Sequence, residues 1–265
     1  MNNLDTLIEN GLVVTENEIG HLNIGIKDGK IAYLGDENLN AEFKINASDL
    51  IVLPGGIDPH VHVDQPSGDD VIMADNFQSA TKSAAAGGNT TILPFAMQIK
   101  GQSLRKCVED YHKKAQGNMY IDTSFHLIIS DPTPQVLGQE LPALSKDGYT
   151  SFKVFMTYDD LVLNDKELIE VFDVAKQLKT LVMVHAEGYD SIKYLSDKFE
   201  KEGKTAPYYH APTRHQIVER EATHRAISHA QIVDIPLMIV HVSGEEALNQ
   251  IRWAKDKGIK VFSET

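Results

Sequence analysis

The sequence predicts an α/β protein: a parallel (β/α)8 barrel of the TIM type, of which this chain carries about seven strands, together with a small N-terminal β domain. From residue 53 onwards, β-prone runs alternate with helical runs at intervals of about 30 residues, which is the pattern of a parallel sheet wrapped by helices. Residues 1–52 instead alternate short apolar runs with turn signals. We therefore predict a β domain at residues 1–52 and a barrel at residues 53–265.

The predicted β domain contains apolar runs at residues 11–15, 22–26 and 30–35. Asp28 and Gly29 stand between the last two runs, and an Asp-Gly pair in that position predicts a hairpin. No motif in this region carries chemistry, so we expect its role to be structural.

The predicted barrel has seven strands, at residues 57–63, 90–95, 123–129, 151–156, 181–185, 236–242 and 259–263. Its helices are predicted at residues 76–86, 103–116, 134–146, 165–178, 191–202, 214–233 and 245–257. A barrel of this type closes with eight strands, and an open seventh strand leaves backbone groups unpaired. We therefore expect the barrel to be truncated before strand eight and the natural protein to continue.

Composition narrows the classes of partner. The net charge is −13, which repels phosphate backbones and anionic lipid surfaces, so neither nucleic acid nor a membrane is an expected partner. A single cysteine, Cys107, fits a reducing compartment. The N-terminus lacks a basic start followed by an apolar run, and no stretch approaches the roughly 20 apolar residues needed to span a bilayer. These features predict a cytoplasmic protein.

A His-x-His pair marks the first barrel strand. His60 and His62 lie two residues apart, and side chains at this spacing in a strand point to the same side. Two imidazoles facing one place can bind a metal ion, although a short His-x-His can equally be a polar strand end.

Three further strands carry candidate ligands near their carboxyl ends, where the working groups of such barrels lie. They are Lys153 on the fourth strand, His185 on the fifth and His241 on the sixth. Either histidine alone is explained by a core imidazole bonded to a backbone carbonyl. Four imidazoles from three strands at one end of one barrel favour a metal site.

Lys153 needs a separate explanation, because a protonated ammonium has no lone pair for a metal. It could pair with a buried carboxylate. Alternatively, burial and a nearby metal favour the neutral amine, which can capture carbon dioxide as a carbamate and bridge two metal ions.

Several motifs together resemble the dihydropyrimidinase and hydantoinase branch of the cyclic amidohydrolases, and the resemblance covers essentially the whole chain. These motifs are Pro54-Gly55-Gly56-Ile57-Asp58-Pro59-His60-Val61-His62, Ala85-Ala86-Gly87-Gly88-Asn89-Thr90-Thr91, Phe152-Lys153-Val154-Phe155-Met156-Thr157-Tyr158, Val184-His185-Ala186-Glu187, Tyr208-Tyr209-His210 with Arg214 and Glu219-Arg220-Glu221-Ala222, and Val240-His241-Val242-Ser243.

The resemblance implies a centre of two divalent metal ions, expected to be Zn²⁺. His60 and His62 would hold one ion, His185 and His241 the other, with a carboxylated Lys153 between them. A hydroxide shared by the metals would open a dihydropyrimidine or hydantoin ring to an N-carbamoyl amino acid. Tyr158 matches the family's catalytic and substrate-binding tyrosine. The resemblance also implies a homo-oligomer, usually a tetramer.

Alternatives stay open at this point. Related enzymes act on allantoin or dihydroorotate, and the family includes non-catalytic assembly proteins that lack the metal ligands. An aspartate that the family carries at the end of strand eight has no counterpart in these 265 residues. The sequence therefore leaves open whether these 265 residues alone are catalytically competent.

Overall fold

The computed structural model describes residues 4–68 and 71–265. The chain forms two compact units, Met1–Gly56 and Ile57–Thr265. None of the helices within the described residues combines the length and apolar character that a bilayer crossing requires.

The first unit is a five-stranded sheet built around its first strand. Its strands are β1 (Leu4–Val14), β2 (Ile19–Lys27), β3 (Lys30–Gly35), β4 (Ala41–Asn46) and β5 (Ile51–Val52). β1 pairs antiparallel with β2 and parallel with β4 and β5. β2 and β3 form the predicted hairpin, since Lys27 pairs with Lys30 and both Asp28 and Gly29 have positive φ, of 51° and 71°. The Asp-Gly hairpin is therefore confirmed.

The second unit contains one sheet in which seven strands follow one another in chain order. From β7 to β13 the pairing is parallel. A short additional strand, β8, pairs with β7 beside this path. The strands are β6 (Gly56–Val61), β7 (Asn89–Met97), β8 (Asp122–Thr123), β9 (His126–Ile128), β10 (Ser151–Phe155), β11 (Leu181–His185), β12 (Leu237–Ile239) and β13 (Val261–Ser263).

In the described part of the chain, eight α-helices accompany this sheet. They are α1 (Phe77–Ala86), α2 (Leu104–Ala115), α3 (Leu141–Lys146), α4 (Asp165–Leu178), α5 (Tyr189–Lys201), α6 (His210–Thr213), α7 (Gln216–Val233) and α8 (Glu245–Asp256). The helix starts follow from local chemistry: Asn164 caps α4, where its side chain and that of Glu167 bond each other's backbone N–H groups. Val136–Glu140 is a π-helical turn that leads into α3.

Side chains of the sheet alternate between two faces with the period of two that strands impose. On β10, Phe152 and Val154 belong to the large core that includes helix residues such as Phe172. Phe155 belongs to a smaller cluster on the other face, and Lys153 shares that face by alternation. The members of this smaller cluster are Phe95, Ile128, Phe155, Met183 and Val240.

Five predicted strands are shorter in the structure. The first ends at Val61 rather than at residue 63, and the fourth ends at Phe155 rather than at residue 156. The third, predicted at residues 123–129, is divided into β8 and β9. The sixth, predicted at residues 236–242, ends at Ile239, and His241 beyond it has a φ of 39° that no strand adopts. The seventh starts at Val261 rather than at residue 259.

Candidate metal centre

The structure places the five predicted metal-binding residues on or just beyond strands of one sheet. His60 lies on β6, Lys153 in the middle of β10 and His185 at the last position of β11. His62 and His241 lie just past β6 and β12. Both residues were predicted to lie within strands.

The four imidazoles come together in one region. The ring centres of His185 and His241 are 4.4 Å apart, those of His60 and His241 5.6 Å apart, and those of His60 and His62 5.6 Å apart. β6 stands at one end of the strand order, whereas His241 follows β12 near the other end. The sheet is therefore rolled on itself, as the predicted barrel requires.

Lys153 is buried, with 1% of its surface exposed. Its Nζ atom lies 5.1 Å from the centre of the Phe95 ring and 4.9 Å from that of Phe155. Burial lowers the pKa of the Lys153 amine to about 7, against a weaker opposing effect of the Glu264 carboxylate. A substantial fraction of this lysine is therefore neutral and nucleophilic at neutral pH.

Two neighbours that sequence reasoning missed contact the first pair of histidines. His60 contacts the Glu264 carboxylate through Nδ1. His62 Nδ1 lies 2.7 Å from the side-chain oxygen of Gln65, whose amide in turn donates to the Phe95 carbonyl at 2.9 Å. In each imidazole one nitrogen is engaged by an oxygen, an arrangement that orients metal-binding histidines through their second nitrogen.

His185 is oriented by a carboxylate and an arginine. Its Nε2 atom lies 2.7 Å from Glu187 Oε2, and the same oxygen accepts from Arg214 Nη1 at 2.5 Å. Burial alone would raise the pKa of the Glu187 carboxyl, but the hydrogen bond from His185 and the charge of Arg214 hold it below its ordinary value. An ionised carboxylate only accepts, so His185 carries its proton on Nε2 and leaves Nδ1 free.

Burial also favours the neutral form of three of these imidazoles. It lowers the pKa values of His62 and His185, and it lowers that of His241 to about 3 with help from nearby His185. Neutral imidazole is the form that binds metal ions.

Within residues 4–68 and 71–265, no three His, Cys, Asp or Glu side chains already form a group that could hold a metal ion. His60, His62 and His185 each contact a side-chain oxygen of the protein, and the Lys153 amine has no carboxylate oxygens of its own.

Tyr158 stands beside this region in a left-handed backbone conformation with a φ of 71°. Its ring lies 5.1 Å from that of His185, and the Arg214 guanidinium lies 5.2 Å from the Tyr158 ring centre. Positive φ at a non-glycine residue is strained and is concentrated at functional sites. Burial raises the pKa of the Tyr158 phenol, so its O–H group is a hydrogen-bond donor at neutral pH.

Two cavities adjoin these residues and share Arg214. One, of about 380 Å³, is lined by His185, Glu187, Arg214, Glu219, His241 and Ser243 among others. The second, of about 560 Å³, is lined by residues that include Ser67, Met97, Tyr158, Tyr189 and Arg214. Both volumes suit a small-molecule ligand.

The fold and the convergent imidazoles define a TIM-type α/β protein with a candidate metal centre. The chain belongs to the amidohydrolase family, whose sequence profile matches residues 51–265. The predicted fold class and the predicted hydantoinase and dihydropyrimidinase resemblance are thereby confirmed.

Similar proteins support the same assignment. The D-hydantoinase of Ralstonia pickettii is 45% identical over 263 residues, covering 99% of this chain and 57% of that protein. A solved D-hydantoinase structure superposes with a TM-score of 0.96 at 45% identity, over 99% of this chain and 57% of the other. The dihydropyrimidinase of Brevibacillus agri NCHU1002 gives a TM-score of 0.94 at 41% identity, over 98% of this chain and 57% of the other.

The chain thus spans a little over half the length of these relatives. Membership of the family implies a dependence on divalent metal ions.

Proposed function

We propose that this protein is a metal-dependent cyclic amidase, which opens a hydantoin or dihydropyrimidine ring to give an N-carbamoyl amino acid. The observation that carries the proposal is the convergence of four imidazoles, with buried Lys153 against two of the phenylalanine rings that they contact. The imidazoles are those of His60, His62, His185 and His241. The D-hydantoinase and dihydropyrimidinase relatives supply the substrate class.

The donor set fits two divalent ions. His60 and His62 would hold one ion, and His185 and His241 the other. Lys153, as the neutral amine that burial favours, would add to carbon dioxide with loss of a proton and provide carboxylate oxygens to both. Imidazole and carboxylate ligands suit zinc, which we propose as the metal. When bound, the two ions supply Lewis-acid polarisation of the ring carbonyl and lower the pKa of water.

Tyr158 would act on the substrate directly. Its phenol O–H is a potential hydrogen-bond donor, and its ring flanks both His185 and the cavity of about 560 Å³. A donor in this place can bind the amide carbonyl and stabilise the negative charge that develops on its oxygen. We therefore propose Tyr158 as both a catalytic and a substrate-binding residue.

Substrate assays test this proposal. Rates on dihydrouracil and 5-phenylhydantoin are expected to exceed the rate on allantoin, and dihydroorotate serves as a further comparison. Turnover of allantoin or dihydroorotate with rejection of the first two would overturn the substrate class. Metal analysis tests the chemistry, because fewer than one bound divalent ion per chain would favour a non-catalytic scaffold.

We also propose a homo-oligomer, a tetramer by resemblance to the family, that acts in the cytoplasm on small-molecule substrates without a nucleic acid or membrane partner. The net charge of −13 supports the absence of nucleic acid and membrane partners, and the single cysteine supports the cytoplasmic location. Sedimentation velocity gives the number of copies.

A further inference from the structure

Arg214 and Glu219 lie on either side of the start of α7 (Gln216–Val233). Each forms hydrogen bonds next to one member of the second histidine pair, which consists of His185 and His241. Arg214 donates to the carboxylate of Glu187, the hydrogen-bond partner of His185. The side chains of Arg214 and Glu187 are only 19% and 17% exposed, so a lost partner would leave a largely buried charge unpaired.

Glu219 fixes the backbone that follows His241. Its two carboxylate oxygens accept from the backbone N–H groups of Ser243 and Gly244 at 2.8 and 2.7 Å. A Cβ atom at Gly244 would lie 2.8 Å from Glu219 Oε2, so a larger residue at this position would displace the carboxylate. His241 itself has a strained φ of 39°, which persists only where its surroundings hold it.

The two contacts act on one half of the candidate site. His185 and His241 have the shortest ring separation of the four imidazoles, 4.4 Å. His60 and His62 contact different groups, Glu264 and Gln65. The start of α7 is thus linked to the second histidine pair and not to the first.

We propose that Arg214 and Glu219 are positioning residues that hold His185 and His241 ready for one of the two metal ions. This inference rests on the proposed function for the existence of that ion. Neither residue needs to touch the metal, because each acts through its hydrogen-bonded partner. Partners of this kind typically change metal affinity by about 10–100-fold.

Metal titration of the protein provides the test. Arg214→Gln and Glu219→Gln are expected to bind one Zn²⁺ as tightly as the wild type and the other at least about tenfold more weakly. Arg214→Lys keeps the charge and is expected to restore part of the loss. Arg220→Gln and Glu221→Gln are matched controls on the same helix, because their ion pairs with Glu246 and Arg225 lie at the surface.

A measurement on the metal-free protein separates this inference from the proposed function. With ¹⁵N-labelled histidine at pH 8, the wild type is expected to show His185 protonated on Nε2, a preference that Arg214→Gln weakens. For Glu219→Gln, the ¹⁵N signals of His241 are expected to shift while those of His60 and His62 stay in place.

If the wild type binds no metal, the proposed function fails, and the imidazole signals still test the positioning role. If Arg214→Gln and Glu219→Gln leave the second metal affinity and the imidazole signals unchanged, the positioning role is overturned. Equal weakening of both metal ions would also overturn it, since the role is specific to one pair.

Discussion

The Nζ atom of Lys153 lies 4.9 Å from the centre of the Phe155 ring, two residues along the same strand. The ring and its neighbours exclude water from the amine, which is why the Lys153 pKa falls to about 7. A lysine that is easily deprotonated can react with carbon dioxide, whereas an exposed lysine with an ordinary pKa remains an ammonium ion.

Replacing Lys153 with alanine is expected to abolish binding of two metal ions, because the bridging carboxylate can no longer form. Short carboxylates such as acetate or propionate are expected to restore part of the metal content by entering the vacated space. Metal analysis by mass spectrometry measures both effects, and an unchanged metal content in Lys153→Ala would refute the bridging role.

Lys153→Met serves as the control for folding. Methionine fills a similar volume among apolar rings without a charge to desolvate. The thermal midpoint of the metal-free protein is therefore expected to equal or exceed that of the wild type, while metal binding is lost. A large fall in that midpoint would mean that Lys153 is needed for the fold.

Tyr158→Phe is expected to lower kcat by about 100-fold on dihydrouracil or a hydantoin, because it removes one donor to the developing oxyanion. Metal content is expected to stay the same. Tyr189→Phe is the matched control, since Tyr189 lines the same cavity but directs its hydroxyl to Asp159. Equal losses in the two variants would contradict a direct role for Tyr158.

The five candidate ligands could be predicted from the sequence because each stands within or next to an apolar β run. Strand periodicity fixes which side chains share a face, and parallel strands bring their carboxyl ends together. The partners Arg214 and Glu219 could not be assigned roles in the same way. Arg214 and Glu187 are 27 residues apart in the sequence, and Glu219 and Ser243 are 24 residues apart. Loop and helix packing brings them together, and no local sequence pattern indicates it.

Strand lengths were also only partly predictable. Residues 236–242 are apolar enough for a long strand, but the regular strand ends at Ile239, two residues before His241 with its φ of 39°. That backbone conformation changes the direction of the His241 side chain, and the strand propensity of the sequence does not reveal it.

Two glycines near α3 provide a matched test of backbone conformation. Gly148, which follows α3, has a φ of 107°, whereas Gly138 lies in the π-helical turn without a positive φ. A Cβ atom at either glycine would meet nothing within 4 Å. Gly148→Ala is therefore expected to lower the free energy of unfolding by about 1–2 kcal/mol. Gly138→Ala is expected to raise it by about 0.4–1 kcal/mol.

Urea unfolding followed by circular dichroism measures both changes. Because an added Cβ atom has free space at both sites, the sign of the change in the free energy of unfolding should depend on φ alone. A stabilising Gly148→Ala would show that the left-handed conformation after α3 is not maintained in solution.

Glu140 gives a pH-dependent contribution to stability. It is 4% exposed, and its Oε2 accepts from the N–H of Leu104, the first residue of α2, at 2.6 Å. Its Oε1 accepts from the Gln135 side chain at 2.8 Å. Burial alone would raise the pKa of Glu140, but these hydrogen bonds, with those from Ser103 and Arg105, bring it below the ordinary value of 4.5.

Because the folded-state pKa is below the unfolded one, Glu140 stabilises the fold fully above about pH 4.5, and this contribution is lost as the pH falls through the folded-state value. Glu140→Gln places an NH₂ group against an N–H donor and is expected to reduce the free energy of unfolding by about 1–2 kcal/mol at pH 7. The difference from the wild type should shrink as the pH falls below about 4.5. Glu109→Gln, an exposed carboxylate on α2, should change stability by less than about 0.5 kcal/mol at either pH. A difference for Glu140→Gln that stays constant from pH 7 to pH 3 would show that the carboxylate charge does not stabilise the start of α2.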